Sequence, residues 1–193
     1  MSIDLRVLAT HALGIALGYA DAGVHEVGAN AGEQVEFFQA TTGGVKGESW
    51  CADMDYACLL KAYCQLKGYL TGITVHDDRA AMLSHADEFT RRTGIPRTGS
   101  CIMVAHAANS AHRFHGKEFS PSPGDLVLFD FKGENAPHHV GFVVGLNVDG
   151  TLRTVEGNTS GNYTDPQANG DGVFKKTRRR GPIYGFVHFQ GVI

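Results

Sequence analysis

The feature that most constrains the fold is a change of pattern at residues 121–124, Pro-Ser-Pro-Gly, in a chain of 193 residues. Before this breaker cluster, apolar residues recur at the spacing of amphipathic helices. After it, short runs rich in Val and Phe are separated by turn residues, which is typical of β-strands. Helices first and an antiparallel sheet second predict an α+β domain, with N-terminal helices packed on a C-terminal sheet.

The predicted elements follow this division. The helices cover a stretch that ends before Gly23, then residues 35–40, 50–66, 77–92 and 101–114. The strands cover residues 125–131, 140–146, 151–156, 173–178 and 183–189. Asp149-Gly150 predicts a hairpin turn, the last two strands form a pair around residues 180–182, and residues 159–171 form a polar loop. We expect one domain of residues 1–193, with residues 1–22 as a helical extension.

Composition narrows the class of protein. Hydrophobic residues make up 42% of the chain and charged residues 19%, which is typical of a globular protein rather than a disordered or collagenous one. A formal net charge of -3 argues against a general nucleic-acid binder. No apolar stretch approaches the roughly 18–20 residues that span a bilayer, so no stable membrane insertion is expected. We expect a monomer.

The chain has four cysteines: Cys51, Cys58, Cys64 and Cys101. The first three lie on one predicted helix, about 9–10 Å apart along its axis, which exceeds the roughly 7 Å between Cα atoms that a disulfide allows. Free thiols indicate synthesis in a reducing cytoplasm. Residues 8–20 imitate a signal-peptide core, but Asp4 and His11 favour an ordinary first helix.

Cys51 is a candidate nucleophile because it begins a predicted helix directly after a flexible loop. Unpaired N–H groups and the positive end of the helix dipole favour a thiolate there. The same N–H groups can bind the oxyanion that forms when a thiolate attacks a carbonyl. A free cysteine is also among the most often buried residue types. The neighbouring Trp50 is predicted to line a substrate cleft, with packing beneath the loop as the alternative.

A candidate base lies where two histidines enter a predicted strand. Because side chains alternate along a strand, His139 shares a face with Gly141, whereas Val140 and Phe142 point the other way. The bulky pair is predicted to face the core. Gly141 leaves room for a substrate chain, so we predict His139 as the base and Gly141 as part of the cleft, with His138 as a solvated or packing neighbour.

Glu156 and Asn158 end the next strand with their side chains on one face, near the His139 end of the hairpin. A carboxylate or amide that binds the second ring nitrogen fixes the histidine tautomer and stabilises the imidazolium. Each residue alone is more often a strand-end turn residue. Which of the two is the principal partner of His139 stays open.

These motifs together resemble the CHAP family, the cysteine, histidine-dependent amidohydrolases/peptidases, many of them phage endolysins or bacterial autolysins. The resemblance is carried by Trp-Cys at 50–51, Pro-Gly-Asp-Leu-Val-Leu-Phe at 123–129, His-Val-Gly-Phe-Val at 139–143, Val-Glu-Gly-Asn-Thr-Ser at 155–160 and Tyr-Gly-Phe at 184–186. It implies a papain-like fold and cleavage of an amide bond in peptidoglycan. It also implies four catalytic residues: Cys51 as nucleophile, His139 as base, Glu156 as its orienting residue and Asn158 as the accompanying polar residue.

Two features depart from the family's pattern. Asp53 and Asp55 lie in the first turn after Cys51, where many members carry small or apolar residues. These carboxylates suit the helix dipole, but they would raise the pKa of Cys51 if they were close and unscreened. Some members also bind calcium through an Asp-rich loop before the cysteine. Residues 42–48 hold one acid and one lysine, so we expect no metal and no cofactor.

Three other features are interpreted without a role in the reaction. His106, His112 and His115 fall on one predicted helix and are interpreted as surface residues rather than a metal site. The basic run 175–180 is interpreted as a solvated strand end, with attraction to an anionic cell-wall polymer as the alternative. The three cysteines other than Cys51 are interpreted as buried or incidental thiols.

The resemblance predicts a peptidoglycan hydrolase, either an N-acetylmuramoyl-L-alanine amidase or a stem or cross-bridge endopeptidase. Bacterial cell-wall peptidoglycan is then the partner, and the protein acts on the wall after release or delivery from the cytoplasm. One alternative is an interbacterial amidase toxin with the same chemistry. Another is a non-catalytic cell-wall-binding module that kept the fold.

Overall fold

A computed structural model describes residues 2–70, 75–161 and 171–193 of the chain. Its helices are α1 (Leu5–Asp21), α2 (Glu33–Thr42), α3 (Cys51–Lys67), α4 (Val75–Thr93) and α5 (Cys101–Ser110). Its strands are β1 (Phe114–Gly116), β2 (Leu126–Phe129), β3 (His139–Leu146), β4 (Leu152–Thr159), β5 (Gly172–Arg178) and β6 (Ile183–Val187). They form one antiparallel sheet in the order β1-β6-β2-β3-β4-β5. The predicted α+β class is confirmed.

The α3 helix lies at the centre of the molecule. It packs against α1, α2 and α4 on one side and against β3 and β4 on the other. Nearly every side chain from Cys51 to Cys64 is buried, so the helix is covered all round rather than on one stripe. It ends at Gly68, whose left-handed backbone (φ 72°) suits a glycine C-cap. This position holds the first turn of α3 against the sheet.

Both faces of the sheet are covered. Val140 and Phe142 pack into the main core with the helices, as expected. On the other face, Val143 joins a second cluster with Phe129 and Phe186, and Phe131 from the loop after β2 packs against it. The expectation of a single core face was therefore incomplete, because loop side chains cover the second face.

Two predicted connections were wrong. The helix predicted over 101–114 ends at Ser110, and Phe114–Gly116 instead form β1, paired with β6. The ring of Phe114 crosses β6 over Gly185, where an added Cβ would come within 2.4 Å of it. The last two strands are not neighbours either, since β5 pairs with β4 while β6 pairs with β2 and β1. Of the predicted loop 159–171, residues 162–170 lie outside the described residues.

The first helix is part of the packed core. Leu5, Leu8 and Leu13 are buried in the main cluster. The backbone of Ile3 exchanges two hydrogen bonds of 2.9 Å with Ile193, so the two ends of the chain are paired. Gly124 (φ 92°) passes so close to α1 that a Cβ would lie 2.8 Å from its backbone. Across the described ranges, no helix is both long and apolar enough to cross a membrane.

Candidate active site

Cys51 is the first residue of α3. Its N-cap, Trp50, has φ -122° and ψ 17°, and the first turn closes with a 3.0 Å hydrogen bond from the Met54 N–H to the Trp50 carbonyl. The Cys51 side chain is buried, with 3% of the residue exposed. The backbone N–H of Ala52 donates to its sulfur. The helix start therefore supplies the anion-binding amide that the sequence predicted at this position.

His139 begins β3 and is fully buried. Its Nε2 lies 2.9 Å from Oε2 of Glu156 on β4. The same ring forms a hydrogen bond with Cys51. Because Nε2 is bound to the carboxylate, Nδ1 is the ring nitrogen that serves the thiol. The structure thus brings Cys51, His139 and Glu156 into one continuous chain of hydrogen bonds.

Gly141 has a different role from the one predicted. Phe142 pairs with Val155 in the β3–β4 ladder, so the adjacent residues Gly141 and Glu156 also face each other. A Cβ on Gly141 would come within 2.5 Å of Cγ of Glu156. The missing side chain makes room for Glu156 and not for a substrate chain. The prediction of Gly141 as a cleft residue is therefore wrong.

Arg178 on β5 is a site residue that the sequence reasoning missed. Its Nε donates to Oε1 of Glu156 at 2.9 Å and its Nη2 to Oε2 at 2.5 Å, while Thr154 also donates to Oε1. Such a fork fixes the plane of a carboxylate. The sequence interpretation placed Arg178 in a solvated basic run, but Lys176 and Arg178 are both buried. The signal was available in the alternation of β5, which buries every second residue of the run.

The electrostatics of the site favour a thiolate–imidazolium pair. A hydrogen bond from Cys101, with a further one from His139, holds the pKa of Cys51 well below its ordinary value, against the opposing effect of burial. Burial alone would lower the pKa of His139, but hydrogen bonds with Cys51 and Glu156 raise it to about 9. Burial would raise the pKa of Glu156, yet Arg178 and His139 lower it to about 2. Negative and positive charges therefore alternate from Cys51 to Arg178 at neutral pH.

Cys101 is the second site residue that the sequence reasoning missed, since it was grouped with the incidental thiols. It begins α5, and its Sγ lies 3.8 Å from Sγ of Cys51. The contact with Cys51 and burial together raise the pKa of the Cys101 thiol well above its ordinary value. The chain did offer a weak signal, because Cys101 follows an N-cap serine at the first position of a helix. Its contact with Cys51 has no signature in the sequence.

The two carboxyl groups in the first turn of α3 have raised pKa values, which weakens the opposition to the thiolate that their sequence position suggested. Asp55 is buried, neither side-chain oxygen has a partner among the described residues, and burial raises its pKa well above the ordinary value. Its site therefore favours the uncharged form of the carboxyl group. For Asp53, burial raises the pKa to about 7, against the effect of a 2.5 Å hydrogen bond from Thr42.

Trp50 lies in the core rather than on a cleft wall. Its ring is fully buried and stacks on Phe38, with ring centroids 5.7 Å apart. Its Nε1–H donates to Oε1 of Glu26 at 2.8 Å. The prediction of Trp50 as a cleft residue is wrong, because this indole hydrogen bond and the stacking hold it beneath the loop that precedes Cys51.

Asn158 lies at a break in the β4–β5 register, with a left-handed backbone (φ 52°). Its side chain is buried, and among the described residues its Oδ1 has no hydrogen-bond partner. The Nε2 of His139 is bound to Glu156 instead. Of the two candidates that the sequence left open, the structure places Glu156 against the imidazole.

A polar cavity of about 410 Å³ opens beside this site. It is lined by Ser49 and Asp53, which flank Cys51 along the chain, and by Gly99 and Ser100, which precede Cys101. In the part of the chain that the structure describes, no group of three or more His, Cys, Asp or Glu side chains could hold a metal ion. The predicted helical row of histidines is broken, because α5 ends before His112.

A thiol at a helix start, paired with an imidazole on an antiparallel sheet, defines a papain-like cysteine–histidine protein. The sequence profile of the CHAP domain matches residues 42–158, which is more than half of the chain. The chain therefore belongs to the CHAP family, whose members are peptidoglycan-hydrolase-like amidases and peptidases. The match includes Cys51, Cys101, His139 and Glu156 and ends before Arg178. No curated protein and no solved structure matches the chain.

Proposed function

We propose that this chain is a peptidoglycan hydrolase that cleaves an amide bond, with Cys51 as nucleophile and His139 as general acid and base. The observation that carries the proposal is the buried hydrogen-bonded chain of Cys51, His139 and Glu156. A thiolate beside an imidazolium suits attack on a carbonyl followed by protonation of a leaving amine. The bond is that of N-acetylmuramoyl-L-alanine or one in the stem peptide or cross-bridge.

In the first half of the proposed reaction, the Cys51 thiolate attacks the carbonyl carbon of the amide. The negative charge moves to the carbonyl oxygen, and N–H groups at the start of α3 are placed to donate to it. The imidazolium of His139 gives its Nδ1 proton to the leaving nitrogen. The C–N bond breaks, the amine departs, and the acyl group stays on Cys51 as a thioester.

In the second half, water attacks the thioester and neutral His139 accepts one of its protons. The C–S bond breaks, the product leaves as a carboxylic acid that loses its proton to solvent, and the thiolate–imidazolium pair is restored. Glu156 holds the ring of His139 through both halves and stabilises its charged form. Arg178 keeps Glu156 ionised and fixes its orientation. We propose that a monomer carries out both halves at the cell wall, after release or delivery from the cytoplasm.

We further propose the 410 Å³ cavity as the route by which substrate reaches the thiol. It lies at the starts of α3 and α5, and hydroxyl, carboxylate and guanidinium groups line it, which suits a polar peptide. Ser49 is exposed on its wall, so Ser49→Trp should block hydrolysis and leave the folded thiol intact. Val7→Trp is the matched control, because Val7 is exposed on a separate cavity along α1. Equal activity in both variants would exclude this route.

The central experiment follows the turbidity of a cell-wall suspension. The purified protein should lower it, and Cys51→Ser should abolish the effect. Cys58→Ser is the control, since Cys58 lies two turns along the same helix and burial raises its pKa well above the ordinary value. Lysis that survives Cys51→Ser would contradict the proposal, and wall binding without product would favour the non-catalytic module. Mass spectrometry of the digest identifies the new amine and thus the bond.

A further inference from the structure

The first residues of two helices are cysteines whose sulfur atoms are in contact. Cys51 starts α3 and Cys101 starts α5, and their Sγ atoms lie 3.8 Å apart although the residues are 50 positions apart in the chain. Ser100 caps α5 by accepting a 3.4 Å hydrogen bond from the Met103 N–H, which fixes the helix start that carries Cys101. Both cysteines are buried, with 3% and 7% of each residue exposed. The contact is therefore a fixed feature of the packed fold.

The surroundings decide which sulfur carries the charge. Cys51 receives hydrogen bonds from His139 and from the backbone N–H of Ala52, and these favour its anion. For Cys101, the contact with Cys51, burial and Asp55 all raise the pKa, against the smaller lowering effect of a backbone hydrogen bond. These opposite pKa shifts favour the proton on Cys101, which makes its S–H the donor across the 3.8 Å contact.

A buried thiolate needs several donors, because removal from water is costly for an anion. The other titratable groups around Cys51 are limited in what they offer. His139 on β3 donates, whereas Glu156 on β4 acts through His139. Asp53 and Asp55 on α3 are carboxyl groups, which carry no positive charge in either form, and burial raises their pKa values. A second side-chain hydrogen-bond donor would therefore stabilise the Cys51 thiolate further.

We propose that Cys101 is a functional part of this site, and that its S–H donates a hydrogen bond to Cys51 that keeps the Cys51 sulfur in its anionic, reactive form. This inference deepens the proposed hydrolase function and rests on it for its catalytic consequence. The hydrogen bond itself is a property of the folded chain and is measurable without substrate.

The test is the pH dependence of Cys51 alkylation by iodoacetamide, read by mass spectrometry of the peptide that contains Cys51. Cys101→Ala removes the donor and should raise the midpoint by about one pH unit, a tenfold loss of thiolate below the midpoint. Cys101→Ser restores a donor and should return the midpoint to within about half a unit of the original. Cys101→Val fills the volume without a donor and replaces the alanine variant if that one does not fold.

Cys64→Ala is the matched control, since Cys64 is a buried thiol further along α3. It should leave the midpoint unchanged. A midpoint that stays in place in both Cys101→Ala and Cys101→Val would overturn the proposal, as would an equal shift in Cys101→Ser and Cys101→Ala. Failure to hydrolyse cell wall, with the expected alkylation shifts present, would contradict the proposed function and leave this inference standing.

Discussion

Two buried carboxylates in this chain each bind one histidine and one arginine. The first is Glu156, whose oxygens lie 2.9 Å from Nε2 of His139 and 2.5 Å from Nη2 of Arg178. The ring of His139 also forms a hydrogen bond with the sulfur of Cys51 at the start of α3. This group therefore ends at a nucleophile.

The second carboxylate is Asp125, which follows the Pro-Gly pair at the start of the sheet. It accepts hydrogen bonds from Arg6 on α1 and from Nδ1 of His188, whose nearer distance is 3.0 Å, and from the Ser122 N–H at 2.8 Å. The ring of His188 packs against the ring of Phe119, with centroids 5.3 Å apart. This group ties the first helix to the start of β2 and the end of β6, which are neighbours in the sheet, and it carries no nucleophile.

The two groups differ in the second contact of the histidine, which is a thiol for His139 and an aromatic ring for His188. Both supply a buried carboxylate with an imidazole and a guanidinium, so that arrangement alone does not indicate catalysis. Nucleophilic catalysis is possible at Glu156 because His139 also forms a hydrogen bond with the Cys51 thiol. The start of a helix favours the thiolate form of such a cysteine. At Asp125 the same charges serve to join elements that are distant in the sequence.

The largest expected effect is that of Glu156→Gln. An amide cannot stabilise the imidazolium of His139 as a carboxylate does, and it favours the wrong tautomer. We expect kcat/KM for wall hydrolysis to fall by about 10⁴-fold, in line with losses at other orienting carboxylates. Kinetics on solubilised peptidoglycan would measure this. A loss of less than about threefold, the limit expected for Asp125→Asn, would show that Glu156 is no more important to the reaction than Asp125.

Asp125→Asn should show the opposite behaviour. It leaves a partly buried Arg6 without its anion, so we expect the free energy of unfolding to fall by about 2 kcal/mol. Because the hydrogen bonds of Asp125 run to Arg6, His188 and backbone N–H groups outside the Cys51–His139–Glu156 chain, kcat/KM of the folded variant should stay within about threefold of the original. Urea unfolding and kinetics on one preparation give both numbers. A hundredfold loss of activity would contradict the conclusion that the Asp125 group is structural and the Glu156 group catalytic.

A smaller effect is expected when each arginine is replaced by lysine. Arg178→Lys keeps a positive charge but loses the fork that orients Glu156, so kcat/KM should fall by about tenfold. Arg6→Lys is the matched change at Asp125 and should alter kcat/KM by less than about twofold. Equal losses in the two variants would mean that the orientation of Glu156 is not what Arg178 provides.

The smallest expected change is a twofold loss of activity as the pH rises from neutrality to about 9. Protonated His139 is required to release the amine, and its raised pKa of about 9 keeps that form present through neutral pH. The lowered pKa of Cys51 keeps the thiolate present over the same range. Activity should therefore be flat near neutrality and fall to about half near pH 9 as the coupled pair loses its proton.

His188→Gln is the control for this profile, because it removes the imidazole of the other group. The profile should keep its shape in that variant. An alkaline fall that sets in already near pH 6.5, the ordinary value for histidine, would show that the pair with Cys51 does not hold the proton on His139.

Local patterns explain what could be predicted of the fold. The helix that begins at Cys51 and the hairpin about residues 147–150 follow from periodicity and turn residues, which act over a few positions. Pairing across the sheet is not local. The strand β6 lies between β2 and β1, where the ring of Phe114 on β1 packs over Gly185, and nothing near residues 180–182 signals this arrangement.

The sequence by itself determined the α+β class, the family, and the positions of Cys51, His139 and Glu156 on a helix start and two neighbouring strands. Only the tertiary structure decided that Trp50 and Gly141 face inward and that Arg178 and Cys101 join the site. The physical reason is that the energy of a buried charge depends on every group packed within a few ångströms of it. Those groups come from positions as far apart as residues 51, 101 and 178, so only the folded chain assembles them.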